Sequence, residues 1–246
     1  MEQTNFPSQQ TGQVITARIP HPASAPSCPA FSSYMTMALV ISGVMAWWFG
    51  NDTSKLQYLI NFETGSNTIL GWVVMFAPLG LVFVMAGMVN KMSSTLLLAT
   101  FLVFSTVMGI SLSYIFLIYS TASIANVFFI SAAVFGVMAV AGYTTKTDLT
   151  KLGSILMIGL IGIIIASVVN MFLKSDTMGY IVSIIGVLIF TGLTAYDVQK
   201  LKRMGEQVAA GTETAQKMAL MGALTLYLDF INLFLMLLRL FGGRRD

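Results

Sequence analysis

Seven apolar runs of similar length, separated by short polar stretches, set the plan of this chain. They are Phe31 to Gly50, Ile69 to Val89, Thr95 to Ile118, Ser123 to Gly142, Leu152 to Leu173, Tyr180 to Leu201 and Met218 to Leu240. Each is near the ~20 residues an α-helix needs to cross ~30 Å of hydrocarbon. The pattern predicts an all-α polytopic membrane protein with seven transmembrane helices over 31–242. Residues 1–30 hold five of the six prolines and lack an apolar run after an early basic patch. They read as a flexible cytoplasmic tail, not a signal peptide.

Within the runs, smaller signals predict local behaviour. Trp47, Trp48 and Phe49 suit a membrane–water interface. Pro78 and Gly80 predict a kink near Ala77. Ser105, Gly109 and Ser113 in the third run recur at helical spacing, as do Ala132 and Gly136 in the fourth and Gly159, Gly162, Ala166 and Asn170 in the fifth. Such small residues let helices approach closely in lipid. Asn51 to Asn67 reads as a polar loop.

Composition agrees with this plan and removes whole classes of function. Charged residues are 9% and hydrophobic ones 56%, with mean hydropathy +0.82. Soluble domains carry about 25% charged residues. A net charge of +3 is too small and dispersed for nucleic-acid binding. One cysteine, Cys28, excludes an intrachain disulfide, and one histidine, His21, removes zinc chemistry and histidine relays from the spans. Seven crossings put Arg18, Lys91, Lys146, Lys151, Lys200, Lys202, Arg203 and Lys217 on one side. By the positive-inside rule that side is cytoplasmic, with the N-terminus there and the C-terminus outside. A re-entrant last segment would instead return Arg244 and Arg245 to the cytoplasm.

The candidate chemistry lies in the last two runs, each of which carries one carboxylate. A carboxylate at a span centre costs ~2.5–3.5 kcal/mol on insertion scales, so such residues mark function and their partners should be sought. Asp197 and Asp229 are each other's obvious partner, because their helices are consecutive. Ser183, Gly186, Phe190, Thr194 and Asp197 form a row on the sixth helix. Gly222, Thr225, Asp229, Asn232, Met236 and Arg239 form a stripe on the seventh, opposite a Leu, Phe and Ile face, so the stripe should face the bundle interior. Depth sets the difficulty: Asp197 is expected about one turn from its helix end, Asp229 nearer the middle. If they meet, the pair titrates as a unit and can share one proton. Its loss leaves two negative charges that repel or recruit a cation. Two carboxylates are far short of the six to eight oxygens of a calcium cage, so calcium would bind transiently, with Thr194, Thr225 or Asn232, carbonyls and water in support. No tightly bound cofactor is expected.

Phe190-Thr-Gly-Leu-Thr-Ala-Tyr-Asp197-Val-Gln199-Lys200 and Leu226-Tyr-Leu-Asp229-Phe-Ile-Asn232-Leu-Phe resemble the two C-terminal signatures of the Bax inhibitor-1 family, also called transmembrane Bax-inhibitor-motif proteins. The resemblance runs from about Phe31 to Gly242. It implies a seven-helix fold and a pH-sensitive calcium leak with Asp197 and Asp229 as pH sensor. Some bacterial members latch an arginine near the second helix to this pair; no arginine stands there, and Lys91 is the nearest cation. The resemblance also implies a membrane-bound ATP-dependent protease as a partner, and the short loops without a signal peptide fit a bacterial inner membrane.

Two other readings compete. The chain could restrain such a protease without conducting ions. It could be an intramembrane aspartyl protease, but Leu226-Tyr227-Leu228 precedes Asp229 where that family has Gly-x-Gly. The expectation is therefore a non-enzyme. A retinal protein is disfavoured, since the seventh helix lacks a lysine for a Schiff base.

Overall fold

The computed structural model describes residues 29–208 and 211–243. His21 and Cys28 lie outside the described residues, as does the tail up to residue 28. Seven helices are long and apolar enough to cross a membrane: α1 Pro29–Gly50, α2 Ile69–Met88, α3 Ser94–Leu112, α4 Thr121–Thr144, α5 Thr150–Leu173, α6 Asp176–Gly205 and α7 Glu213–Phe241. The expected all-α membrane fold is the one found.

Hydroxyl caps set where most of these helices begin. Thr68, Ser93, Ser120, Ser175 and Thr212 precede α2, α3, α4, α6 and α7, and each hydroxyl accepts an N–H from the third residue of its helix. A capped N–H no longer needs water, so the helix can start before its apolar run does. That is why α6 begins at Asp176 and α7 at Glu213, ahead of Tyr180 and Met218. Lys174, at φ 50°, closes α5, and Asn170 Oδ1 accepts the N–H of Ser175 at 3.1 Å across this turn. Asn170 thus ties the end of α5 to the capping residue of α6.

The polar loop expected after the first span is instead ordered. It holds a helical turn, Thr53–Leu56, and an antiparallel hairpin of β1 Ile60–Asn61 and β2 Ser66–Asn67. The third span also breaks: α3 ends at Leu112, and a short turn, Ile115–Ile118, follows. Pro78 lies inside a continuous α2.

α7 is the centre of the bundle. It packs against α6, α1, α4 and α3, whereas α5 packs chiefly on α6 and α2 chiefly on α3. Of its apolar window, 67% is buried, against 11% for α4 and α5. The Leu, Phe and Ile side of α7 is therefore core as well, not a lipid face: Leu224, Phe230, Leu233 and Leu238 are all buried. Phe230 takes ring edges from Phe128 and Phe135 of α4 at 5.4 and 5.6 Å, an arrangement aromatic quadrupoles favour. Contact glycines also differ in part from expectation. Gly109 and Gly159 make the expected close approaches, onto α1 and α6, but Gly136 and Gly162 face open space, and Gly142 and Gly153 supply further close approaches onto α6.

Candidate functional site

The site is built where α6 crosses α7. The whole α6 row, Ser183, Gly186, Phe190, Thr194 and Asp197, is buried. Two glycines determine how its last part is held. A Cβ at Gly142 of α4 would strike the backbone of Ala195, and one at Gly153 of α5 would strike the Tyr196 ring. With no side chain at either place, α4 and α5 close on the two residues before Asp197 and leave that carboxyl facing α7.

The following turn is clamped by polar groups. Gln199 Oε1 accepts the Leu149 N–H at 2.9 Å, and its Nε2 donates to the Thr147 carbonyl at 2.8 Å. Lys202 Nζ donates to the Tyr143 carbonyl at 3.0 Å, and Arg203 pairs with Asp148 at 2.9 Å. Thr150, by side chain and backbone, and then Arg203 hold the exposed Asp148 carboxyl below its ordinary 3.8, at about 2. At the other end of the molecule, Lys55 and Ser54 likewise hold Asp52 at about 2.

On α7, Asp229 is 6% exposed, and Asp197 opposite is 9% exposed. Among the described residues they are the only buried carboxylates. The two carboxyls face each other across the α6–α7 contact, close enough to interact. Carboxylates lack a donor, so a hydrogen bond between the two would need a proton on one of them. No N–H or hydroxyl group reaches Oδ2 of Asp229, which is buried.

Helix geometry removes the expected difficulty of depth. Because α6 runs on to Gly205, Asp197 lies about two turns from its end, not one. Side chains also lean toward the N-terminus of their own helix. In an antiparallel pair Asp197 leans away from the lysine-rich end and Asp229 leans toward it, so the two carboxyls converge.

A cavity of about 500 Å³ reaches Asp197 from the lysine-rich end. Lys200, Lys217, Met221 and Thr225 line it too, with Asn90 at the end of α2. Asp229 does not line it, so only one member of the pair meets this space. Lys200 shares this cavity with Asp197, and its Nζ lies 5.9 Å from the Tyr196 ring centroid. Lys217 is held by Glu213 at 3.1 Å. Lys91, the cation expected nearest the pair, is not among the lining residues.

Of the supporting polar residues, Thr225 lines the cavity, whereas Thr194 and Asn232 do not. All three donate to their own helix: Thr194 to Phe190, Thr225 to Met221 and Asn232 to Leu228, at 2.8, 3.1 and 2.8 Å. Their oxygens keep lone pairs for a passing ligand. Among the described residues, no three His, Cys, Asp or Glu side chains come together. One buried network escaped the sequence: Ser42 of α1 donates to the Ser105 carbonyl of α3 at 2.7 Å and lies 2.7 Å from the Tyr227 hydroxyl, two residues before Asp229.

Fold and site together define a seven-helix integral membrane protein whose last two helices meet through a carboxyl pair. A family model described as "Inhibitor of apoptosis-promoting Bax1" matches residues 32–246, and the chain belongs to this family, the Bax inhibitor-1 family. It is 46% identical over 213 residues to the inner membrane protein YbhL of Escherichia coli K12, which covers 86% of this chain and 89% of that protein. It is 48% identical over 212 residues to an uncharacterised protein of Borreliella burgdorferi, covering 86% and 89% of the two chains. It is 46% identical over 217 residues to the uncharacterised protein RP147 of Rickettsia prowazekii, covering 87% and 88%. None of these names carries an enzymatic activity.

Proposed function

We propose that this protein is a pH-controlled cation leak of a bacterial inner membrane, with calcium as the permeant ion and Asp197 and Asp229 as the sensor. The observation that carries this is the pair itself, two buried carboxyls on the two most buried helices, in mutual contact. When they share a proton the two side chains attract and hold α6 against α7. When that proton leaves, two like charges stand close together in a low dielectric and repel. Repulsion favours a second arrangement of the helices, and a cation entering between the carboxylates lowers the repulsion. The same groups thus serve as sensor and transient ligand.

The cavity at the lysine-rich end supports a path to Asp197 from the side that the positive-inside rule assigns to the cytoplasm. Two carboxylates with hydroxyl and carbonyl oxygens form a weak oxygen site, and weak sites are what conduction needs. Calcium entry into proteoliposomes containing the purified protein, recorded against pH, tests the proposal. Flux should be low at acid pH and rise as the pair deprotonates; flux equal to that of empty liposomes at every pH would overturn it.

A further inference from the structure

A second cavity, about 770 Å³, opens at the opposite end of the same helix pair. Asp176 and Tyr180 from the start of α6 and Leu235, Leu238 and Arg239 from the end of α7 line it. Each helix thus carries an open cavity at one end and the carboxyl pair further along. Along α6, Gly186 stands between Tyr180 and Asp197. Along α7, Met236 stands between Arg239 and Asp229. These two residues touch: a Cβ at Gly186 would lie 2.9 Å from both Cγ and Sδ of Met236. Gly186 is buried and Met236 half-buried. The bare backbone at 186 makes a seat, and an unbranched thioether is the side chain best able to fill an irregular one. Beyond it, toward the pair, polar groups return with Thr194 on α6 and Asn232 on α7.

We propose that Met236, seated on Gly186, is the apolar barrier between the Arg239-side cavity and the carboxyl pair. The path then has a wet mouth at each end, with Asp197 facing one mouth and a methionine closing the other. An apolar constriction excludes hydrated ions by dewetting, at little cost in stability to the closed state. Both cavities lie along the helix pair whose packing the Asp197–Asp229 contact controls. Separating α6 from α7 lifts the thioether off its seat and lets water join the two spaces. The barrier deepens the leak proposed above and rests on it for its ionic role, but its effect on access is measurable without any ion current.

Cysteine probes at Asn232 and, separately, Thr194 lie on the pair's side of Met236. Each is introduced after Cys28→Ser, which removes the native thiol. Sealed vesicles of either orientation receive a charged, membrane-impermeant thiol reagent, and denatured samples fix full labelling. With Met236 present, labelling from the Arg239 side should be slow for both probes. With Met236→Ala it should become about tenfold faster from that side. Labelling from the lysine-rich side should stay the same. Calcium flux is read on the same preparations. Labelling that responds to Met236 while flux ignores pH leaves the barrier standing and overturns the leak. Flux that follows pH, with both probes labelled from the Arg239 side at one rate whatever stands at 236, overturns the barrier and leaves the leak.

Discussion

Ser42 and Tyr227 share one hydrogen bond but do not stand to lose the same from its removal. In Tyr227→Phe the Ser42 hydroxyl keeps the Ser105 carbonyl as acceptor, so the cost is that of one hydrogen bond, about 1 kcal/mol. In Ser42→Ala the fully buried Tyr227 hydroxyl is left without that partner, a loss of about 1–3 kcal/mol. Unfolding of the detergent-solubilised protein should rank Ser42→Ala below Tyr227→Phe; the reverse order would mean this bond does not organise the α1–α3–α7 contact. Asp148 separates a structural carboxylate from a sensing one. Its carboxyl is held at about 2, so its contribution is full above the ordinary 3.8 and fades only as pH falls toward 2. Asp148→Asn should leave the pH midpoint of flux where it is in the wild type; a moved midpoint would place part of the sensor in the 145–149 loop. Asp197 and Asp229 stood out in the sequence because a charge in an apolar run is conspicuous. Lys200 and Lys217 did not, since lysines at span ends are ordinary, and only the folded cavity brings them beside Asp197. Gln199 was equally silent: its two backbone partners lie 50 and 52 residues away.

Glycines show what could and could not be read at the level of helices. Small residues in a span announce close packing, but not which of them meet a neighbour. Gly142 and Gly162 test this distinction. Alanine at 142 pushes a methyl group into the α6 backbone beside Asp197 and should cost about 1–3 kcal/mol, with impaired flux. Alanine at 162 enters open space and should be neutral or stabilising by up to about 1 kcal/mol, since alanine is the better helix former. Thermal unfolding in detergent distinguishes the two, and equal effects would contradict the packing described. The helix starts were legible in principle from Ser120, Ser175 and Thr212, whose caps lie outside the hydrophobic runs. Counting apolar residues alone truncates α6 by about a turn at each end, and that truncation made Asp197 look shallower than it is. The hairpin after α1 carried no such signal, because its strands are two residues long.

At the scale of the whole molecule, the number of helices was readable and their arrangement was not. In water the buried side of a helix is its apolar side. In lipid both sides are apolar, and helices associate through packing and small-residue contacts instead. Leu224 and Leu233 in the core of α7 therefore look like Ile158 and Phe172 on the lipid side of α5. The central place of α7 emerges only from its neighbours. Orientation follows from charge: the lysine-rich end should be cytoplasmic and the C-terminus outside. A reporter fused after Asp246 should give the external signal, and a cytoplasmic one would favour a re-entrant last segment. The central claim is that one carboxyl pair reads pH for the whole bundle, and it is tested most directly by calcium flux in proteoliposomes bearing Asp197→Asn or Asp229→Asn. A shift from mostly closed to mostly open requires several kcal/mol of differential proton affinity, which a lone carboxyl facing an amide no longer supplies by repulsion. Each variant should therefore show a flattened pH dependence across the range in which the wild type opens. Both variants keeping the wild-type pH profile would contradict the account and leave the two carboxylates a structural contact between α6 and α7.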